Sequence, residues 1–222
     1  MTEPGGFFPR ARDAGITLLT VALTFSALAM TWRNLTAGRE RRSAITSHPA
    51  WREIVRQRSW AGANPSHRDT FLLITDYQCP ACKAFAPTYR AFTRGNAANA
   101  TIVTSPYAIE SIHKNARALA LLSLCRASAL ANDARDSVLY EIADTVQAMT
   151  AQQISVALRI VSARALQDCR TDTAAIRAFG VLQRLSDSVP IRATPTLIHN
   201  GTIHVGGMSL DSLQILLRQA RK

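Results

Sequence analysis

Lysine, cysteine and aromatic residues are scarce in this chain of 222 residues, and no tract is dominated by one or two residue types. No segment repeats at a fixed period, which excludes a solenoid or another repeat protein. The lack of low-complexity tracts excludes a largely disordered chain. What remains is the composition of a globular protein, long enough for one domain and a short appendage.

Acidic residues are too few to balance the basic ones, and the formal net charge is +11. Nucleic-acid-binding proteins often have such a charge, but their sites also need a concentrated basic stripe or aromatic stacking platforms. Here the arginines are scattered over every predicted helix, and only 6% of the residues are aromatic. We therefore predict a basic, solvated surface and no nucleic-acid partner.

Formal charge is absent from the nineteen residues 14–32, AGITLLTVALTFSALAMTW. As a helix this segment would be about 28 Å long, close to the thickness of a bilayer core. A transmembrane anchor is favoured over a cleaved signal peptide, because Met30 and Trp32 continue the apolar run beyond the small residues that resemble a cleavage site. Residues 1–13 are then an N-terminal flank, and residues 33–47 a basic linker.

Two features of the sequence predict opposite orientations for this anchor: the flanking arginines and the cysteines. Two arginines precede the segment and four follow it within ten residues, which by the positive-inside rule favours a cytoplasmic C-terminal part. Four cysteines fit an oxidising compartment better, and long domains are translocated despite flanking charge. We predict a single-pass protein of the cytoplasmic membrane with its domain on the extracytoplasmic side; a secreted or periplasmic protein, after signal cleavage, is the alternative.

Strand and helix patterns alternate along the rest of the chain. The run TFLLIT reads as a buried strand, a helix begins at the following cysteines and ends near Gly95, and ATIVTSPY reads as a second strand. Residues 112 to about 186 have helical periodicity, broken near Asn132-Asp133 and Thr171, which predicts three or four helices and no strand.

The C-terminal part adds a hairpin and a last helix. Asn200-Gly201 joins two short strands, a pair that strongly favours a tight hairpin turn. Ser209 is a plausible N-cap for the final helix. The complete order predicts an α/β fold over residues 48–222, in which a sandwich of sheet and helices carries a helical insertion at about 112–186.

The most informative motif is Cys79-Pro80-Ala81-Cys82, directly after the first strand. A cysteine at a helix start meets unpaired backbone N–H groups and the positive end of the helix dipole, which favour the thiolate. Cys79 is therefore the expected nucleophile, and Pro80 suits the first helical position. Cys82, one turn further, is close enough to attack a mixed disulfide and release the substrate.

Two other uses of a cysteine pair are metal binding and simple burial. A structural zinc site needs a second CxxC or a pair of histidines, but Cys125 and Cys169 are isolated. Covalent haem attachment needs a histidine after the second cysteine, where this chain has Lys83. Redox chemistry is favoured, while a metal site and two inert buried thiols remain as alternatives.

Two segments, CPACKAFAP and RATPTLIHNG, resemble the two signatures of the thioredoxin superfamily, and the helical block between them resembles its DsbA-like branch. The resemblance implies a thioredoxin-like fold, a cis bond between Thr194 and Pro195, and a role for this pair in holding an extended peptide. Pro80, Ala81, Asp76 and Lys83 would flank the active site. No cofactor is implied, since the cysteine pair stores both electrons.

Two departures from the family stand out. Where thioredoxin and DsbA have a buried acid, six residues before the first cysteine, this chain has Leu73. The base is therefore absent or supplied by Asp76, Lys83 or water. The dipeptide Pro80-Ala81 lacks the histidine of strongly oxidising members, which makes a less oxidising potential plausible.

We predict structural roles for the remaining cysteines and histidines. DsbA-like proteins often have a second, structural disulfide, and an even cysteine count outside the cytoplasm favours a Cys125–Cys169 bond over two buried thiols. His113 resembles a histidine that recurs before the first insertion helix, and a capping or packing role is favoured over catalysis. His48, His67, His199 and His204 are expected in turns or strands, because no acid or histidine cluster accompanies them.

The sequence thus predicts a membrane-anchored thiol:disulfide oxidoreductase that acts on the cysteines of exported proteins. A membrane partner, such as a quinone-linked oxidase or a reducing transporter, would reset the cysteine pair. The rival hypothesis is a binding module, in which a thioredoxin fold without redox turnover serves as a peptide or metal-ion chaperone.

Overall fold

The computed structural model describes residues 49–60 and 69–220, and one of the two inner strands of its sheet is β1, Asp69–Thr75. β1 pairs in parallel with β2, Ala100–Pro106, and antiparallel with β3, Thr196–His199. β4, Thr202–Val205, completes the order β2-β1-β3-β4. Since β1 has neighbours on both sides and is covered on both faces, its sequence is a nearly continuous apolar run.

The connection from β1 to β2 is helix α2, Pro80–Gly95, which begins where the cysteine motif predicts. Preceding both is α1, Ala50–Trp60, whose buried Arg58 donates from Nε to the backbone oxygen of Thr104 in β2 at 2.5 Å. The β1–α2–β2 unit places the start of α2 at the carboxyl end of β1. This is the position predicted for the cysteine pair.

The hairpin between β3 and β4 is formed by Asn200 and Gly201, both with positive φ, 49° and 84°. That pair of angles is what a two-residue turn of type I′ requires, and asparagine and glycine tolerate it best. The last helix, α8, spans Leu210–Gln219, and the hydroxyl of Ser209 accepts the backbone N–H of Ser212. The hairpin, the helix and the capping residue all match the prediction.

Residues 107–195 are all described and contain five helices instead of the expected three or four. They are α3 Ala116–Ser123, α4 Asn132–Ile142, α5 Ala151–Ala157, α6 Ala163–Thr171 and α7 Thr173–Ser188. Asn132-Asp133 begins α4, so the predicted break there is a helix start. Thr150 and Ser162 cap α5 and α6 with side-chain hydrogen bonds, and these short polar signals divide a segment whose apolar pattern is continuous.

The predicted anchor at 14–32, with its flank and linker, lies outside the described residues. Within 49–60 and 69–220, no helix has both the length and the apolar character needed to cross a membrane.

Candidate active site

Cys79 is the N-cap residue of α2, and Pro80 occupies the first turn. The backbone N–H of Cys79 donates to the oxygen of Asp76 at 3.1 Å, and its own carbonyl accepts the N–H of Lys83 at 3.1 Å. Its side chain makes no capping hydrogen bond to the helix. Cys79 is therefore at the positive end of the helix dipole, where a negative charge on its sulfur is stabilised.

The start of β3 brings a distant part of the chain to this sulfur. Because β3 runs antiparallel to β1, the residues just before it lie beside the loop that follows β1. Cys79 Sγ lies 3.4 Å from the backbone oxygen of Thr194, and the Thr194–Pro195 bond is cis. Both residues are buried. The two sequence signatures thus meet at Cys79.

Cys82 lies deeper than Cys79, with relative exposures of 1% and 8%. Burial raises the pKa of the Cys82 thiol to about 12, and hydrogen bonds from the Thr75 side chain, the Asp76 backbone and the Thr194 side chain only partly oppose that rise. Both thiols are free in the structure. Both cysteines are buried, but Cys79 is the less buried of the two, which suits attack by Cys79 followed by resolution by Cys82.

Asp76 organises the loops around the cysteines. Its Oδ1 accepts the backbone N–H of Gln78 at 2.8 Å, and its Oδ2 accepts the N–H of Ile109 at 2.9 Å and lies 2.9 Å from Nδ1 of His113. The carboxylate is fully buried, whereas the His113 side chain is 15% exposed. Both oxygens are occupied by these partners, so Asp76 holds the loops in place. His113 lies beside it and is partly buried.

Replacement of Asp76 by alanine is expected to lower the free energy of unfolding by about 3 kcal/mol, because two partly buried N–H groups and His113 lose their acceptor. Urea denaturation of the wild type and the variant measures this difference. Asp168→Ala is the matched control, since it removes an exposed aspartate from α6. An effect of Asp76→Ala no larger than that of Asp168→Ala would contradict the role given to Asp76.

The other predicted flanking residues lie at the surface. Pro80, Ala81 and Lys83 are exposed on the first turn of α2. These three residues form the rim around Cys79.

Sequence reasoning missed the buried polar residues Thr75, Asp136 and Tyr140. Thr75 Oγ1 and the Tyr140 hydroxyl are 2.5 Å apart, and the Tyr77 hydroxyl donates to Oδ1 of Asp136 at 2.6 Å. Tyr140 and Asp136 come from α4 in the insertion and share its buried face with Leu139. An aspartate in phase with apolar residues of a helix is the sequence signal that marks such a site.

Cys125 and Cys169 form a disulfide far along the chain from the CxxC motif, with a Cα–Cα distance of 5.2 Å. The bond links the end of α3 to α6. Arg135, from α4, donates to the backbone oxygens of Ser123 and Cys125 at 3.1 and 2.7 Å. These contacts satisfy carbonyls at the C-terminus of α3, so the disulfide and Arg135 hold three helices of the insertion together.

The histidines of the hairpin lie in strands, as predicted. His199 in β3 stacks on Phe71 with ring centroids 3.9 Å apart, and burial lowers the pKa of both His199 and His204. In the ranges 49–60 and 69–220, no three side chains among histidine, cysteine, aspartate and glutamate are grouped as metal ligands. His48 and His67 lie outside the described residues.

No protein-family model matches the sequence, and no curated protein is significantly similar to it. Solved structures are similar in fold. ScsC of Proteus mirabilis, as a linker-deletion mutant, has a TM-score of 0.57 at 16% identity over 98% of this chain and 99% of its own. A thioredoxin-like oxidoreductase from Silicibacter pomeroyi has a TM-score of 0.60 at 16% identity, over 71% and 89% of the two chains.

A third similar structure is the thiol-disulfide exchange protein α-DsbA2 of Wolbachia pipientis. It has a TM-score of 0.58 at 13% identity over 75% of this chain and 97% of its own. With the strand order, the CxxC motif at the start of α2 and the cis proline before β3, this likeness identifies the architecture. The chain has the thioredoxin-like fold, with a helical insertion, of DsbA- and ScsC-type proteins.

Proposed function

We propose that this protein is a thiol:disulfide oxidoreductase that exchanges electrons between Cys79-Cys82 and cysteines of other proteins. The observation that carries the proposal is the meeting of three features at one sulfur: a helix N-terminus, a second thiol one turn away and the backbone of Thr194 before the cis proline. A thiolate attacks a disulfide best when its negative charge is stabilised and its sulfur is reachable.

In the reducing direction, the Cys79 thiolate attacks one sulfur of a substrate disulfide and forms a mixed disulfide. Cys82 then attacks Cys79 Sγ, the Cys79–Cys82 bond forms, and the substrate leaves with two thiols. In the oxidising direction the same steps run backwards. Thr194 and Pro195 line the point of attack and hold an extended segment of the substrate. The cysteine pair stores both electrons, so the cycle needs no cofactor.

The cellular setting is part of the same proposal. The uncharged segment 14–32 anchors the protein in the cytoplasmic membrane, and the catalytic domain acts outside it on exported proteins with cysteine thiols or disulfides. The Cys125–Cys169 disulfide supports an oxidising compartment, because such bonds are rare in the cytosol. A membrane redox partner, a quinone-linked oxidase or a reducing transporter, resets the pair. Cleavage of the segment would instead leave a periplasmic or secreted enzyme.

The direction of exchange is set by the reduction potential, which equilibration with glutathione measures. Because Pro80-Ala81 lacks a histidine, we expect a potential less oxidising than that of DsbA, about −120 mV, yet above that of thioredoxin, about −270 mV. Acid quenching and thiol alkylation at defined glutathione ratios give the reduced fraction. A value at or below that of thioredoxin would contradict an oxidising role. Metal retention without any thiol exchange would select a metal-ion chaperone.

A further inference from the structure

A cavity of about 220 Å³ lies between α2, β2 and α4. All three elements contribute to its wall, which includes Tyr89, residues 101–104, Asp133 and Asp136. Tyr89 follows Cys79 by almost three turns of α2, which separates the two residues by about 15 Å along the helix axis. Asp133 is exposed and Asp136 is buried, so the cavity extends from the surface into the protein.

Two buried polar groups of this wall, Asp136 Oδ2 and the Tyr89 hydroxyl, have no hydrogen-bond partner among the described residues. Both residues are 2% exposed. The other carboxyl oxygen of Asp136, Oδ1, accepts the hydroxyl of Tyr77 at 2.6 Å, which fixes the side chain in place. A buried polar group is destabilising until it has a partner, and a ligand in the cavity can provide one for both groups.

The wall is acidic. Asp133 and Asp136 lie one turn apart on the same side of α4, and no lysine or arginine is among the described residues of the wall. Neither carboxyl forms a salt bridge within the described part of the chain. Arg90, which follows Tyr89, donates instead from Nη1 to the hydroxyl of Ser137 and joins α2 to α4 beside the cavity.

The surroundings of Asp136 show what charge a ligand should have. Burial raises the pKa of its carboxyl, and the hydrogen bond from Tyr77 opposes that rise. The positive charges of Arg58 and Arg135, which are not part of the wall, oppose it too. A cation in the cavity would act in the same direction, because a positive charge nearby favours the ionised carboxylate.

The size and the apolar part of the wall define the rest of the ligand. Ile102 and Val103 add aliphatic surface from β2. A volume of about 220 Å³ corresponds to about seven water molecules, since each occupies about 30 Å³ in the liquid. The cavity therefore accommodates a short aliphatic chain with a cationic head, whose N–H groups donate to the carboxyls and the tyrosine.

We propose that this cavity binds an alkyl cation, an ammonium or guanidinium group on a short aliphatic chain, through Asp136 and Tyr89. The cationic head donates to Asp136 Oδ2 and to the Tyr89 oxygen at the inner end, and the chain extends past Ile102 toward the surface. Asp133 attracts the cation to the entrance. The ligand is a free amine or the lysine or arginine side chain of another protein, and the site does not depend on thiol exchange.

The test is a titration of the ¹⁵N-labelled full chain, in a non-ionic detergent, with n-butylammonium chloride. We expect saturable shifts of the backbone amide signals of residues 101–104 and 132–136, with a Kd on the order of 1 mM for so small a ligand. n-Butanol has the same size without the charge, and tetramethylammonium has the charge without N–H donors. Both should bind at least about tenfold more weakly, since hydrogen bonds to charged groups are the stronger ones.

Asp136→Asn keeps the shape of the side chain and an oxygen that accepts from Tyr77, but it removes the charge. We expect the affinity for n-butylammonium to fall at least about tenfold in this variant. Asp168→Asn is the matched control, because it removes an exposed aspartate from α6, and its Kd should stay within about twofold of the wild type. If Asp136→Asn does not fold, Tyr89→Phe tests the same site, since it removes only a hydroxyl without a partner among the described residues.

A blocked tripeptide with a central lysine distinguishes the two sources of the cation. Shifts of the same amide signals with the tripeptide would assign the site to a side chain of another protein, and shifts with n-butylammonium alone would assign it to a free amine. The proposal is overturned if n-butylammonium does not shift the signals of residues 101–104, or if n-butanol or tetramethylammonium binds as tightly. Wild-type affinity in a folded Asp136→Asn or in Tyr89→Phe would overturn it as well.

Discussion

Replacement of Cys79 by alanine is expected to abolish disulfide exchange, with a loss of at least about 10³-fold. The step that forms the mixed disulfide needs a nucleophilic sulfur at the start of α2, and Cys82 cannot replace it. Cys82 is 1% exposed, and burial raises its pKa to about 12. At neutral pH a thiol with that pKa is ionised only about once in 10⁵ molecules.

Cys82→Ala is the informative partner variant, because it should stop the reaction one step later. Cys79 can still attack a substrate disulfide, but no neighbouring thiol resolves the mixed disulfide, which accumulates as a covalent complex. A model protein with one accessible disulfide, followed by non-reducing electrophoresis and mass spectrometry, detects this complex. If Cys79→Ala retained exchange, or if Cys82→Ala trapped substrate through Cys125 or Cys169, the assignment of the nucleophile would be wrong.

Removal of the Cys125–Cys169 disulfide is expected to lower the free energy of unfolding by about 4 kcal/mol in the chain-entropy model, since the bond closes a loop with a sequence separation of 44 residues. The loop contains α4, α5 and most of α6. Without the bond, these helices depend on packing and on the contacts of Arg135 with the end of α3.

Urea denaturation of Cys125→Ala/Cys169→Ala measures the loss, with Cys79 and Cys82 kept oxidised in both proteins. Cys79→Ala/Cys82→Ala is a useful control. It removes the same number of buried sulfurs, but the disulfide that it eliminates closes no long loop. A difference below about 1 kcal/mol between the wild type and the Cys125/Cys169 variant would show that this disulfide contributes little beyond local packing.

The elements that carry local signals could be predicted from the sequence. β1 follows from a compact run of β-branched and aromatic residues, and α2 from the spacing of apolar residues after Cys82. The hairpin follows from Asn200-Gly201, whose backbone angles few other residue pairs tolerate. In each case, interactions between residues close in sequence are enough to define the structure.

The insertion was harder to divide, because its alanine- and leucine-rich helices share one continuous apolar pattern. The helix boundaries are set by single capping residues such as Thr150 and Ser162. In the sequence, one capping residue is a weaker signal than the continuous apolar pattern around it. The predicted break at Asn132-Asp133 proved to be a helix start, since these residues are as favourable in a first turn as in a turn between helices.

The burial of Asp136 against Tyr77 was beyond sequence reasoning for a different reason. It depends on the contact between α4 and the loop that follows β1. Tyr77 and Asp136 are 59 positions apart in the chain. Such contacts follow from tertiary packing, which a single sequence does not reveal.

Arg58 connects α1 to β2 at the edge of the sheet. Among the described strands, β2 has a partner on one side only, and unpaired strand edges are places where a second chain can add by backbone hydrogen bonding. The buried guanidinium of Arg58 already occupies the carbonyl of Thr104 on β2. Deletion of the residues before 60 would therefore remove Arg58 and expose the edge of β2. The shortened domain would then be more prone to self-association.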